Sequence, residues 1–305
     1  MGKTYTVEKD YQNTRFDKWF KAKIINLPQS LIEKIIRLNK VKINRKRVKS
    51  SYRVKCGDIV EVYDISKFKE NYRPKISKYK PSKKEVNIYD DFIIENNENF
   101  IIINKPAGIA VQSGTKSFKN IIDILKNTKY FENSKPFIVH RLDKETSGVL
   151  IIAKNRKYAQ LFTSLFRIRK IHKTYLAIVY GKVNKSIKVM KDDLIYYENN
   201  TKISQKAVSN IKVIKSNEGY SYLELNPITG RKHQLRKQTS IIGHPVVGDK
   251  KYSFLNKSKK NLMLHAFEIK FLINNKKINF IAKIPKHFYD FLNSKKINFS
   301  GYLKN

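Results

Sequence analysis

FIVHRLDKETSGVLIIAK, residues 137–154, places two apolar runs around a polar centre, His140-Arg141-Leu142-Asp143-Lys144-Glu145-Thr146-Ser147-Gly148. Short apolar runs bounded by turn-forming residues read as buried strands, so the segment is two strands flanking a tight turn. An Asp in such a turn, with Arg141 two residues away, can stay ionised and nucleophilic in a shielded cleft. The same residues also suit a plain turn with an Asx bond and surface ions, so this stretch alone leaves both readings open.

The flanking sequence extends the pattern. FIIINKPAGIAV (100–111) is a buried strand running into a Pro106/Gly108 turn, and IIDILKN (121–127) is a helix. KYAQLFTSLFRIRK (157–170) spaces its apolar residues as a helix does. KTYLAIVYGKV (173–183), SYLELNPITGRKHQLRKQT (221–239) and LMLHAFEIKF (262–271) alternate strand and helix signals. Several hairpins with few crossover helices imply an α+β fold with a mixed, largely antiparallel sheet flanked by helices.

A second chemically dense stretch is Thr229-Gly230-Arg231-Lys232-His233-Gln234-Leu235-Arg236. By count only 12 of the 64 basic residues are Arg. In so lysine-rich a chain, arginines at 141, 231 and 236 stand out, because only guanidinium offers a planar fork to carboxylate or phosphate. Without that chemistry, the stretch is a basic helix start.

The chain has 305 residues and a formal charge of +39, enough for two domains and at least one substantial core. Such a charge seeks a polyanion, nucleic acid before an anionic membrane. The abundance of Lys, Ile and Asn also matches an A+T-rich genome, so part of the charge reflects codon usage. The single Cys56 excludes an intramolecular disulfide framework and multi-Cys zinc sites, and suits a reducing compartment. The six histidines show no ligand-like pairing, so no metal is expected. No apolar run approaches the ~20 residues of a membrane span, and the start MGKTYTVEKDYQ is no secretory signal, although Gly2 and Thr6 fit a short myristoylation pattern. A soluble cytoplasmic monomer is expected.

YRPKISKYKPSKKEVN (72–87), with two prolines and many lysines, reads as an extended linker. The domains expected are therefore 13–71, a basic linker 72–88 and 89–305. In the first, Phe16, Trp19 and Phe20 share a helix face, and a second helix runs over 29–40 through Leu31, Ile32, Ile35, Ile36 and Leu38, with Ser30 as its cap. VKINRKRV (41–48) reads as a strand entering a turn, and VKCGDIVEVY (54–63) as another after Gly57-Asp58. This order resembles the S4 RNA-binding domain through Arg15-Phe16-Asp17, Val41-Lys42-Ile43-Asn44 and Gly57-Asp58-Ile59-Val60. Leu31 stands where that family often has Arg. Asn39-Lys40 replaces its usual Gly, a change Asn tolerates because it enters the left-handed region.

Residues 89–305 resemble the RluA-type pseudouridine synthases. The carriers are His140 to Gly148, Asn104 to Gly108, Lys173 to Gly181, Thr229 to Arg236, Gly243 to Tyr252, and Leu264-His265-Ala266. The resemblance implies isomerisation of uridine in RNA. That reaction gains and loses no group, so it needs no cofactor and no catalytic metal. It implies Asp143 as nucleophile, Arg231 as its ion-pair partner, Tyr175 stacking on the base and assisting the last deprotonation, and Leu264 walling the pocket. Arg141 would fill the place of the flipped base. Lys105, Gln234 and Arg236 would contact backbone phosphate or orient Arg231. Lys237-Gln238 replaces a common Val-His pair, and Gln112 a common His. The resemblance points to large-subunit ribosomal RNA, with transfer RNA, or a non-catalytic RNA-binding protein, as alternatives. A glycosidase pair of Asp143 with Glu145 fits less well, because Arg141 and Arg231 suit RNA better than neutral sugar.

Overall fold

Apolar spacing and turn residues build two units. The computed structural model describes residues 2–70, 79, 81–82, 86, 89–113, 119–198, 201–254 and 261–297. It divides into units 1–77 and 78–305. Most of the expected linker lies outside the described residues.

In the first unit, β1 (Lys3–Thr6), β2 (Val41–Ile43) and β3 (Ile59–Val62) form an antiparallel sheet in the order β1-β3-β2. Helices Phe16–Lys23 and Gln29–Arg37 bury Phe16, Trp19, Phe20, Ile32, Ile35 and Ile36 in the same core as Val41, Ile43 and Val60. Buried Asp17 accepts hydrogen bonds from Arg15 Nε and Nη2 and from Gln29 Nε2, tying the two helix starts together. That role for Gln29 displaces the cap expected at Ser30: the N-cap is Pro28 and Ser30 lies inside the helix. Leu38, at the helix end, is exposed. The strand expected over 41–48 stops at Ile43, because Asn44 (φ 49°) and Arg45 (φ 62°) turn the chain in left-handed geometry and present Arg45, Lys46 and Arg47 to solvent. Asn39 takes φ 61°, as the reading of Asn39-Lys40 requires.

The second unit is built on one ten-stranded sheet. Its main path runs β4 (Ile93–Asn96), β5 (Phe100–Lys105), β7 (Ser147–Ala153), β12 (Leu264–Ile273), β8 (His172–Tyr180), β11 (Tyr220–Pro227), β10 (Thr201–Ser216), β9 (Val189–Glu198). β13 (Lys276–Ile281) pairs with β12, and β6 (Phe137–Ile138) with β7. Every pairing is antiparallel except β7 with β12. The sheet is therefore mixed and largely antiparallel, with helices against it, as the α+β reading requires. The long β9–β10 hairpin is an element to which the sequence reading assigned nothing.

The continuous apolar runs of β5 and β7 follow from burial on both faces. Ile101, Ile103, Leu150 and Ile152 pack with Ile121, Ile124 and Leu125 of helix Ile121–Leu125 on one side. Phe100, Ile102, Val149 and Ile151 pack with Phe162 of helix Arg156–Arg167 on the other. Two such layers make β7 the rigid floor from which the turn before it projects.

Gly148 fixes where that turn ends. Its φ is 116°, and a Cβ there would lie 2.1 Å from the Ala266 carbonyl oxygen on parallel neighbour β12. Gly148→Ala is expected to lower the urea midpoint by the equivalent of about 3 kcal/mol or more, since the clash is with backbone and the φ is strained for any L residue. A midpoint within error of wild type would refute this reading of the strand contact.

Candidate active site

The turn 139–146 joins β6 to β7 and is closed by the Thr146 N–H donating to the Asp143 carbonyl at 3.1 Å. Lys105 braces it from behind. This fully buried side chain donates from Nζ to the carbonyls of Pro106 (2.7 Å), Ile109 (2.9 Å) and Lys144 (3.1 Å), and Gly108 N–H also donates to Lys144 O. Burial pushes the Lys105 ammonium down to about 7, against the opposing pull of Glu145 and Asp143. Lys105 therefore staples the 105–109 loop to the turn. With Nζ enclosed by carbonyls, it is not the phosphate contact the sequence suggested.

Asp143 is half-buried, and its two carboxylate oxygens face a guanidinium and an imidazole. Oδ2 lies 3.6 Å from Arg236 Nη1, and Oδ1 lies 3.6 Å from His233 Nε2. This corrects the pairing expected of Arg231. The Arg231 Nε instead donates to the Lys206 carbonyl at 3.1 Å. The cause is the chain turn between the two arginines. His233 sits at φ 54°, ψ 28°, in the left-handed region, immediately before helix Gln234–Ile241. Arg231 thus remains on the preceding loop, while Arg236 enters the first helical turn and is carried inward.

Arg236 is itself held in place. Its Nε and Nη2 form a fork on Asp249, both at 2.7 Å, and the Asp249 side chain is fully buried. Burial pushes the Asp249 carboxyl up. The Arg236 fork, with N–H groups from Lys251 and Tyr252, outweighs that and holds the carboxyl below its usual range. The Tyr252 ring lies 5.2 Å beneath the Arg236 guanidinium, and its hydroxyl is 2.7 Å from His233 Nδ1. Asp249, Tyr252 and His233 lie within the Gly243–Tyr252 and Thr229–Arg236 stretches, but nothing in the sequence alone assigns them a task. The available signal was an Asp-Lys-Lys-Tyr run in a chain poor in acids.

Gln234 is another correction. It is buried, its Oε1 accepts from Thr229 Oγ1 (2.7 Å) and the Arg231 N–H (3.0 Å), and its Nε2 donates to Val208 O and Ser209 Oγ. With these groups engaged, it shapes the 229–234 turn and does not reach substrate. One turn later, Gln238 is fully buried, accepting from Ser209 Oγ and donating to Met190 O and Asp192. The Lys237-Gln238 departure is thus absorbed in packing at position 238. Lys237 lies over the Tyr196 ring at 3.9 Å.

Tyr175 and Leu264 occupy one sheet face. Tyr175 pairs with Ala266 and Leu264 with Ala177 across β8 and β12, and directly opposed residues share a side. Burial raises the Tyr175 phenol well above its ordinary value, and the Asp143 charge adds to this, so the hydroxyl stays protonated at neutral pH. Arg141 is exposed beside Leu142, which is buried. His140 points away from solvent. It accepts from the Ile151 N–H at 2.9 Å, stacks on Phe166 at 4.5 Å, and is pushed by burial down to about 3. His265 bonds Ser147 Oγ at 2.8 Å behind the turn. Both histidines are scaffold.

The profile of the family described as RNA pseudouridylate synthase matches residues 99–240, which include the Asp143 turn and Arg236. The chain is 32% identical over 308 residues to the ribosomal large subunit pseudouridine synthase C of Buchnera aphidicola, covering 94% of this chain and 96% of that protein. It is 35% identical over 301 residues to the protein of the same name from Rickettsia felis, covering 91% and 95%. Among solved structures, human RNA pseudouridylate synthase domain containing 4 is similar, with a TM-score of 0.61, 26% identity, and coverage of 70% of this chain and 96% of that one. With Asp143 on its braced turn and likeness along almost the whole length of such relatives, this chain belongs to the RNA pseudouridylate synthases.

Proposed function

We propose that the enzyme converts uridine to pseudouridine in large-subunit ribosomal RNA, with Asp143 as the nucleophile. The observation that carries this is a carboxylate on a rigid turn, flanked by two cationic or hydrogen-bond-donating side chains and backed by an apolar sheet face bearing Tyr175 and Leu264. The isomerisation breaks the bond from ribose C1′ to N1, turns the base, forms a bond from C1′ to C5, and transfers the C5 proton so that N1 ends protonated. The Asp143 carboxylate, kept in place by Arg236, serves as the attacking group. Tyr175 contributes a flat ring for stacking and Leu264 the pocket wall. Its raised phenol suits stacking better than proton abstraction. Exposed Arg141, on the same turn, is positioned to enter the space left by the flipped base, where guanidinium can stack and hydrogen-bond together. Arg231, half-buried on its loop, contributes to holding the RNA backbone.

The target is the one named for the bacterial relatives. Mapping pseudouridines in total RNA from cells with and without the gene is expected to lose one or more sites in large-subunit RNA. Loss confined to transfer RNA would overturn the assignment.

The first unit acts as an S4-type RNA-binding domain, presenting Arg45, Lys46 and Arg47 on its left-handed turn. Deleting residues 1–80 is expected to weaken RNA affinity and flatten its salt dependence while leaving residual catalysis on short substrates. Unchanged affinity and salt slope would exclude that role.

A further inference from the structure

His233 flanks Asp143 and is joined in turn to Tyr252. It is a non-glycine residue held at φ 54°, a strained conformation that persists where surroundings enforce it. Its ring bridges Tyr252 Oη, 2.7 Å from Nδ1, and Asp143 Oδ1, 3.6 Å from Nε2. The charged and titratable groups around it are Asp143 on the catalytic turn, Arg236 on its own helix, Lys232 on its loop, and Lys251 and Tyr252 on the following turn.

The tautomer follows from these neighbours. A proton on Nδ1 would leave the Nε2 lone pair facing a carboxylate oxygen, two acceptors opposed. With the Tyr252 hydroxyl donating to Nδ1, Nε2 carries the proton and directs it at Asp143. Burial raises the Tyr252 phenol, which keeps that hydroxyl a donor. A carboxylate turns easily about its last torsion, and one ion pair leaves that rotation free. Arg236 on Oδ2 and His233 on Oδ1 together fix its plane.

We propose that His233, oriented by Tyr252, is a positioning residue that sets the plane of the Asp143 carboxylate for attack, an inference that rests on Asp143 being the nucleophile. The two 3.6 Å contacts exceed hydrogen-bond length and shorten when substrate fills the site, as catalytic hydrogen bonds do. Burial lowers the imidazole's affinity for a proton, so His233 is neutral at pH 7. Below its titration it becomes an imidazolium that draws charge from the nucleophile.

The test is single-turnover pseudouridine formation on a large-subunit RNA transcript, at saturating enzyme, between about pH 5.5 and 8.5. Wild type is expected to lose rate on the acid side, at a pH below the ordinary histidine range because burial lowers the imidazole. His233→Ala and His233→Gln should both abolish that limb. His233→Ala should slow the neutral-pH rate by roughly 10- to 100-fold, and His233→Gln, which keeps an amide donor, should recover part of it. Tyr252→Phe removes the proton donated to Nδ1 and should move the limb to higher pH. Nitrogen NMR of ring-labelled histidine in the intact enzyme should find the His233 proton on Nε2, a readout independent of activity. Wild-type rates and an unchanged limb in all three variants, or a proton on Nδ1, would overturn the proposal. Asp143→Asn separates the two readings: retained turnover in that variant defeats the nucleophile assignment itself, whereas its loss alongside unaffected His233 variants defeats only the positioning role.

Discussion

Asp143→Asn is expected to reduce turnover by about 10⁴-fold or more, as removal of an attacking group does, while the protein still folds and binds RNA. Asn retains the shape of the side chain and its place in the turn. The strong ionic contact nearby, Arg236 with Asp249, does not involve the altered group. Removing a negative charge from a protein of net charge +39 cannot weaken its attraction to a polyanion, so affinity should stay equal or tighten slightly. Measured turnover within tenfold of wild type would end the mechanism proposed for Asp143. Lost affinity with intact folding would show that the carboxylate is part of the RNA-binding surface.

Arg236→Ala carries the second large effect, on two observables at once. Asp249 has a fully buried side chain whose carboxylate relies on the Arg236 fork, and deleting one member of a buried pair costs about 3–5 kcal/mol because the remaining charge, left with only the Lys251 and Tyr252 N–H groups, loses the counter-charge of the fork. The same change takes the cation from Asp143 Oδ2 and the guanidinium from above Tyr252. A large fall in urea midpoint and a loss of turnover are both expected. Arg236→Lys should restore charge without the fork and recover only part of the stability. If Arg236→Ala unfolds within about 1 kcal/mol of wild type, the pair is not the support described here. Arg231→Ala, by contrast, leaves the fork intact and should change stability little.

The fold was legible in the sequence wherever burial is two-sided or alternation is strict. FIIIN and GVLIIA could only be buried strands, and Phe162 in helix Arg156–Arg167 had a clear apolar face to cover them. The turn at Asp143 was equally legible, because polar residues squeezed between such runs have nowhere else to go. The β9–β10 hairpin was not. Its strands mix polar and apolar residues without a strict alternation, and its contacts with helix Gln234–Ile241, such as Gln238 with Asp192, join residues 46 apart.

Among the site residues, the sequence by itself determined which chemical groups are present: a carboxylate on a tight turn, and guanidinium groups in a chain that otherwise spends lysine. It could not say which arginine meets the carboxylate. Arg231 and Arg236 are five residues apart in one basic stretch, and either could reach. The left-handed turn at His233 decides it, leaving Arg231 outside on the Lys206 carbonyl and sending Arg236 inward between Asp249 and Asp143. Lys105 and Gln234 were settled in the same way. Their polar atoms look available in sequence, but burial surrounds one with carbonyls and saturates the other, which turns both from ligands into supports. Composition names the groups, whereas backbone direction and desolvation decide which of them face the substrate.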